Sequence, residues 1–64
     1  MERKYTVIYE PAEEGGYVAH IPALNNLATQ GETLEEAKAM AIDAINGYIE
    51  TLEELNQSIP EDHL

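Results

Sequence analysis

The sequence predicts an α+β fold in which a small antiparallel three-stranded sheet carries one long helix packed on one face. The first observation is that residues 4–30 alternate between apolar and polar side chains in short runs separated by glycine and proline, as hairpin strands do. The second is that apolar residues recur every three or four positions from Leu34 to Leu55, which is typical of an amphipathic helix. Each element then has one apolar face, and packing the helix across the sheet buries both.

The first strand is predicted over Lys4 to Glu10, where β-branched and aromatic residues are frequent. Side chains alternate across a strand, so one face carries Tyr5, Val7 and Tyr9, and the other carries Thr6 and Ile8. Residues 11–16 follow with a proline, two glutamates and two glycines, which favour a tight turn. The strand and turn therefore predict the first half of a β-hairpin.

The second strand is predicted over Tyr17 to Ile21 and ends at Pro22, which has no N–H to donate to a neighbour. A short third strand is predicted over Leu24 to Gln30. In the second strand, Ala19 and Ile21 are expected to face the helix, and Val18 and His20 lie on the opposite face. In the third strand, Leu27 and Thr29 share one face.

The helix start is predicted by a reciprocal cap that follows a turn glycine, Gly31. The Thr33 side chain is expected to accept a hydrogen bond from the Glu36 N–H, and the Glu36 carboxylate to accept one from the Thr33 N–H. Gly47 interrupts the helix, either to let another backbone approach or as a weak spot without a role. Beyond Asn56 the tail is expected to be extended or frayed, with a possible short extra strand near the C-terminus.

Composition limits the classes of function. We expect residues 1–64 to form a single domain. A domain of this size has a small core, and the chain has no cysteine for disulfides, so we expect self-association to add stability. Thirteen acidic residues stand against three basic ones, a formal charge of −10, so direct nucleic-acid binding is disfavoured and a basic protein partner is favoured. No apolar run could span a membrane and no signal peptide is evident, so a cytoplasmic location is expected.

One face of the predicted sheet has no predicted element to cover it. Uncovered β-branched residues on a small sheet indicate a partner. We therefore predict a homo-oligomer, a dimer or a larger assembly, whose interface consists of Thr6, Ile8, Val18 and His20.

Candidate catalytic groups are few. His20 lies within a strand and His63 lies in the tail, without cysteines or a short metal-binding spacing. Glu10 and Asp43 could form a carboxylate pair for metal-dependent nuclease chemistry, but an isolated pair in so acidic a chain is a weak signal. The sequence therefore predicts no enzyme activity, no metal site and no cofactor.

Several motifs in order resemble the HicB-like antitoxin family over residues 5–60. These are a glycine hairpin arm, an Ile-Pro link with a following leucine, a turn that leads into the capped helix, and a second Ile-Pro beyond the helix: Gly15 to Ala19, Ile21-Pro22 with Leu24, Thr29 to Ala37, and Ile59-Pro60. The chain departs from the family at Asn25-Asn26, where many relatives have a Leu-Pro-Gly-Cys type of link. It also ends before the carboxyl-terminal DNA-binding segment that many relatives carry.

The resemblance implies a partial ribonuclease-H-like fold and a role as the antitoxin of a two-component system. The implied partner is a HicA toxin, a small basic protein that cleaves messenger RNA with a histidine. We predict that toxin contact uses Glu10, Glu13, Glu14 and His20. The alternatives are an orphan homo-oligomeric structural or regulatory module and a degenerate ribonuclease-H-like metal-dependent nuclease.

Overall fold

The computed structural model describes residues 4–62 and confirms the predicted α+β class. Three antiparallel strands form one sheet in the order β1-β2-β3, and one long helix contacts β2 and β3. In chain order the elements are β1 (Ile8–Pro11), β2 (Tyr17–Ile21), a 3₁₀ turn (Pro22–Leu24), β3 (Leu27–Gly31) and α1 (Leu34–Glu54).

β1 begins four residues later than predicted. Pairing starts at Ile8, which lies opposite His20. Two residues earlier, Thr6 would face Pro22, which has no N–H and already belongs to the 3₁₀ turn. The predicted alternation nevertheless holds through this segment, because Tyr5, Val7 and Tyr9 all pack against the buried core.

The β1–β2 hairpin has the predicted turn. Two backbone hydrogen bonds close it, from the Ala12 N–H to the Gly16 carbonyl at 3.0 Å and from the Gly15 N–H to the Ala12 carbonyl at 3.1 Å. Gly15 and Gly16 have φ angles of 102° and 80°, which residues with a Cβ rarely adopt. β2 has the predicted bounds, with Ala19 and Ile21 fully buried.

The predicted third strand exists, but it begins at Leu27, three residues later than predicted, and ends at Gly31. Leu24 ends the 3₁₀ turn as a fully buried residue, and both Asn25 and Asn26 have left-handed φ angles, 60° and 56°. Asparagine tolerates this conformation, so the departure from the family link still supplies a reversal of the chain. The faces are as predicted, with Leu27 and Thr29 half-buried.

The core lies between the sheet and the middle of α1. Its buried members are small or aliphatic, and alanines from both layers allow the helix to approach closely: Ala19, Ile21 and Leu24 from the sheet side, and Ala37 and Ala41 from the helix. The predicted apolar stripe extends too far at both ends, because Leu34 and Leu55 are 50% and 60% exposed. The sheet is too short to cover a helix of 21 residues.

Both ends of α1 are capped. The Thr33 Oγ1 accepts a hydrogen bond from the Glu36 N–H at 3.0 Å, whereas the Glu36 carboxylate accepts from the Glu32 N–H at 3.0 Å and not from the Thr33 N–H as predicted. At the other end Asn56 takes a left-handed φ of 55°, and the Gln57 N–H bonds the Leu52 carbonyl at 2.9 Å. These contacts correspond to a Schellman motif, with asparagine in the place of the usual glycine.

The tail returns to the start of the chain and is held there. The Tyr5 hydroxyl donates to the Pro60 carbonyl. The Asp62 carboxylate accepts from the Thr6 N–H at 3.0 Å and from the Thr6 hydroxyl at 2.8 Å. Residues 57–62 form no strand, so the possible extra strand is absent from the described part of the tail. His63 lies outside the described residues.

Candidate partner-binding surface

The face of the sheet opposite α1 is uncovered by any described element. The pairing register places six side chains on this open face, in two rows across the strands: Ile8, His20 and Ala28 in one, and Glu10, Val18 and Gln30 in the other. Ile8 is 45% exposed, a large value for a strand isoleucine. The open face therefore joins three apolar side chains to one polar and two ionisable side chains.

Glu10 and His20 meet on the open face. Their side chains lie diagonally across β1 and β2, with 3.2 Å between the Glu10 Oε1 and the His20 Nε2. The two side chains are 65% and 34% exposed, so the contact is an ion pair when the imidazole is protonated and is worth at most about 1 kcal/mol. It orients the imidazole at the surface and leaves the second carboxylate oxygen available to a partner.

Thr6 does not lie on an uncovered surface as predicted. Its hydroxyl and its N–H are both engaged by Asp62, and the residue is half-buried. The tail thus covers Thr6, which was predicted to lie in an interface. The two oxygens of the Asp62 carboxylate accept from the two donors of Thr6. Ile8, Val18 and His20 remain on the open face.

Acidic side chains surround the hairpin turn. Glu13 and Glu14 are exposed at its tip. Glu14 also lines a groove of about 490 Å³ together with Glu32 and Glu36, and its walls are formed by Ala12, Gly15, Gly16, Tyr17, Gln30 and Gly31. We refer to this feature as the acidic groove.

The acidic groove was not predicted from the sequence, because Glu36 was assigned only a role in the helix cap. The signal was present in the strand pairing: Tyr17, just after the turn, lies opposite Gly31, just before the helix. That register brings the hairpin tip and the first turn of α1 to the same end of the sheet. A predicted register for β2 and β3 would have placed Glu14 near Glu32.

A second depression, of about 260 Å³, lies between the start of the chain and α1. Its lining is mainly apolar: Tyr5, Val7 and Tyr9 on one side, and Lys38, Ala41, Ile42, Ile45 and Asn46 on the other. Ile42 is 53% exposed there.

The candidate carboxylate pair is not assembled. Glu10 lies on the open face, whereas Asp43 belongs to α1 on the other side of the sheet. Within residues 4–62, no three His, Cys, Asp or Glu side chains are grouped so that they could hold a metal ion. In the same range, α1 is too polar to cross a membrane.

The charged side chains of residues 4–62 are exposed, apart from the half-buried Asp62. No polar or charged side chain is buried among residues 4–62. Because water solvates these groups, the excess of carboxylates produces a negative potential around the molecule without a desolvation cost to folding.

Comparison with known proteins identifies relatives over almost the whole chain. Residues 5–63 match the model of the HicB-like antitoxin of bacterial toxin–antitoxin systems. A UPF0150 protein of Thermoplasma acidophilum is 47% identical over 60 residues, which cover 94% of this chain and 87% of that protein. Antitoxin HicB 1 of Photorhabdus laumondii is 46% identical over 57 residues, and antitoxin HicB of Escherichia coli K12 is 39% identical over 57 residues.

The two antitoxins are longer proteins. The match covers 89% of this chain in both cases, but only 37% of the Photorhabdus protein and 41% of the Escherichia coli protein. The extent of the family match and the identities show that the chain belongs to the HicB-like antitoxin family, as the sequence motifs predicted.

Proposed function

We propose that this HicB-like antitoxin binds and neutralises a small, basic HicA-type toxin that cleaves messenger RNA. Family membership implies a toxin partner, and two of the relatives are named antitoxins. The observation that carries the proposal for this chain is its acidic composition, a formal charge of −10, with nearly all described carboxylates exposed. A basic RNA-binding protein is attracted to such a surface, whereas nucleic acid is repelled by it.

The contact surface we propose consists of the hairpin tip and the adjoining open face, through Glu10, Glu13, Glu14 and His20. The tip carboxylates are exposed and attract basic side chains during encounter. Ile8 and Val18 then supply apolar contact beside the Glu10–His20 pair. A toxin held on this surface is inhibited by occlusion of its RNA-binding side, and the chain itself needs no catalytic group, metal or cofactor. We place the complex in the cytoplasm, where messenger RNA is found.

Co-expression with a HicA-type protein tests the proposal. We expect the chain to co-purify with the toxin and to preserve messenger RNA that the toxin alone degrades. The charge reversals Glu10→Lys, Glu13→Lys and Glu14→Lys together should abolish protection. Continued cleavage in the presence of the unaltered, folded chain would overturn the antitoxin role.

A matched control separates local contact from total charge. Glu50→Lys, Glu53→Lys and Glu54→Lys make the same change in charge on exposed residues at the end of α1. Glu53 lies about 25 Å from Glu36 along the helix axis, by the usual rise per residue. This variant should still protect messenger RNA, although it binds the toxin more slowly than the unaltered chain.

An orphan homo-oligomer is the second candidate function, and the exposed Ile8 on the open face favours it. Such a protein would self-associate through the open face and leave messenger cleavage by a co-expressed toxin unchanged. No described feature favours the nuclease alternative.

A further inference from the structure

The two edges of the sheet are protected to different degrees. On the β1 side, Pro11 lacks an N–H, and the tail binds Tyr5 and Thr6 just before the strand. β3 forms the other edge, and its five residues include no proline and no charged side chain. Natural proteins usually guard an edge of this kind with proline, lysine, a bulge or a covering segment.

The β3 edge is free in the described range. Within residues 4–62, the hydrogen bonds of the β3 backbone are confined to its pairing with β2, since no turn, cap or side-chain hydrogen bond reaches it. α1 contacts both β2 and β3, and no second strand pairs with β3 among residues 4–62. An extended segment of another chain can therefore add to β3 through main-chain hydrogen bonds.

We propose that the β3 edge is a docking site for an extended, basic segment of the partner, which adds to the sheet as a fourth strand. This inference rests on the proposed function for the basic character of the partner. The acidic groove selects that occupant: Gln30 and Gly31 at the end of β3 line it beside Glu14, Glu32 and Glu36. A strand added to β3 places its terminal side chains at this groove, where lysine or arginine meets opposite charge.

A second copy of the chain is a poorer occupant of the same edge. It also carries a formal charge of −10, so pairing of two β3 edges would bring two strongly acidic chains together. The acidic groove is continuous with the hairpin tip through Glu14, so one basic partner can contact the tip and the edge together. Self-pairing is thus opposed by the charge that favours the basic strand.

Titration of the isotope-labelled chain with a short peptide tests the edge directly. The probe is acetyl-Lys-Val-Arg-Val-Lys-Val-amide, with an otherwise identical peptide in which glutamate replaces each basic residue. We expect amide shifts at Leu27 to Gly31 and around the acidic groove, slower amide exchange in β3, and binding of the acidic peptide at least tenfold weaker. Shifts confined to other surfaces, or equal binding of the two peptides, would overturn the assignment.

Two further comparisons distinguish strand addition from plain charge attraction. A basic peptide with methyl groups on two consecutive amide nitrogens near its centre keeps its charge but loses a hydrogen-bond donor on each edge. It should therefore bind much more weakly than the unmethylated peptide, and equal binding overturns the proposal. Glu32→Lys should weaken the basic peptide roughly three- to tenfold, whereas Glu53→Lys should have little effect. The Glu32 N–H, and not its carboxylate, serves the helix cap, so the fold should survive and circular dichroism verifies this.

The outcome is separable from that of the proposed function. If the toxin is neutralised but neither the toxin nor the basic peptide perturbs β3, the docking site is wrong and the antitoxin role stands. If the peptide adds to β3 but the toxin is not neutralised, the antitoxin role is wrong and the edge remains a site for basic strands.

Discussion

Gly31 lies so close to the first turn of α1 that a Cβ on it would be 2.4 Å from the Ala37 backbone nitrogen. The same Cβ would be 2.7 Å from the Glu36 carbonyl carbon and 2.9 Å from the Ala37 Cα. These are backbone atoms of a capped helix and cannot rotate away as a side chain can. Because Gly31, the last residue of β3, has no side chain, α1 can cross the sheet at this position. The sequence had predicted only a turn glycine here.

Gly31→Ala should destabilise the protein by about 1–3 kcal/mol, the usual cost of forcing extra volume into a packed site. The helix start must move away from the sheet, which loosens contacts of the buried Ala37. Urea unfolding followed by circular dichroism measures the change.

Gly47→Ala is the matched control, because it adds the same methyl group within α1. No atom lies within 4 Å of the Cβ that Gly47 would gain, so close backbone approach is not its role in the described chain. This variant should stabilise the protein by about 0.5–1 kcal/mol through helix propensity. Loss of stability in Gly47→Ala equal to that in Gly31→Ala would contradict the packing argument.

Thr33→Ala should destabilise the protein by about 1 kcal/mol, since the Glu36 N–H loses its acceptor at the start of α1. Thr33→Ser retains the hydroxyl and should remain near the stability of the unaltered protein. Thermal melting of the three proteins checks the expectation. An unchanged midpoint for Thr33→Ala would show that the cap contributes nothing in solution.

Asp62→Ala should destabilise the protein by about 1 kcal/mol, a value reduced from the usual strength of charged hydrogen bonds because the site is half-exposed. It removes both acceptors of Thr6 and releases the tail beside Tyr5. Amide exchange at Thr6 should accelerate. Asp62→Asn retains one oxygen that can accept from the Thr6 N–H, so it should have a smaller effect. Equal effects of the two substitutions would show that the hydrogen bond from the Thr6 N–H is unimportant.

The elements that depend on local pattern were predictable. β2, the hairpin turn and the start of α1 follow from alternation, glycine conformation and capping, which act within a few residues. The predicted start of β1 was wrong because pairing at Thr6 would need Pro22, which lies beyond the end of β2 in the 3₁₀ turn. Local pattern shows which face of residues 5–9 is apolar, but not how far the partner strand extends.

The candidate surface was less predictable because it depends on which residues meet across strands. Glu10 and His20 were both predicted to contact the toxin, but their contact with each other at 3.2 Å follows from the strand register and was not predicted. The acidic groove arises from two segments separated in sequence, residues 12–17 and 30–36, which carry Glu14 and Glu36. Tail contacts such as that of Asp62 with Thr6 span 56 residues and leave no local signal.

Ile8→Glu should weaken self-association. If the open face is the homo-oligomer interface, a carboxylate in place of this exposed isoleucine meets apolar groups and other acids across the contact. Light scattering at several concentrations should show a dimer or larger assembly for the unaltered chain and a monomer for the variant. The helix signal should be retained, because Ile8 lies away from the core.

Ile42→Glu is the control for this change. Ile42 is 53% exposed on α1, so the substitution adds the same charge on the opposite side of the sheet. It should leave the assembly intact. A monomeric unaltered chain at high concentration would contradict the oligomer prediction, and dissociation by Ile42→Glu alone would move the interface to the helix side.

Because His20 belongs to both predicted contacts, toxin binding and self-association through the open face should compete.

Toxin association should slow as salt increases, while dissociation should change less. The attraction between a chain of formal charge −10 and a basic toxin acts over the Debye length, which falls from about 30 Å at 0.01 M salt to about 8 Å at physiological ionic strength. Glu13→Lys with Glu14→Lys should reduce the association rate roughly three- to tenfold at low salt, and the difference should shrink at physiological salt. Glu53→Lys with Glu54→Lys, equal in charge but at the far end of α1, should have a smaller effect. Stopped-flow or surface-based kinetics at several salt concentrations measures both rates. Equal slowing by the two double variants would mean that net charge alone steers the encounter and that the hairpin tip is not where the toxin arrives.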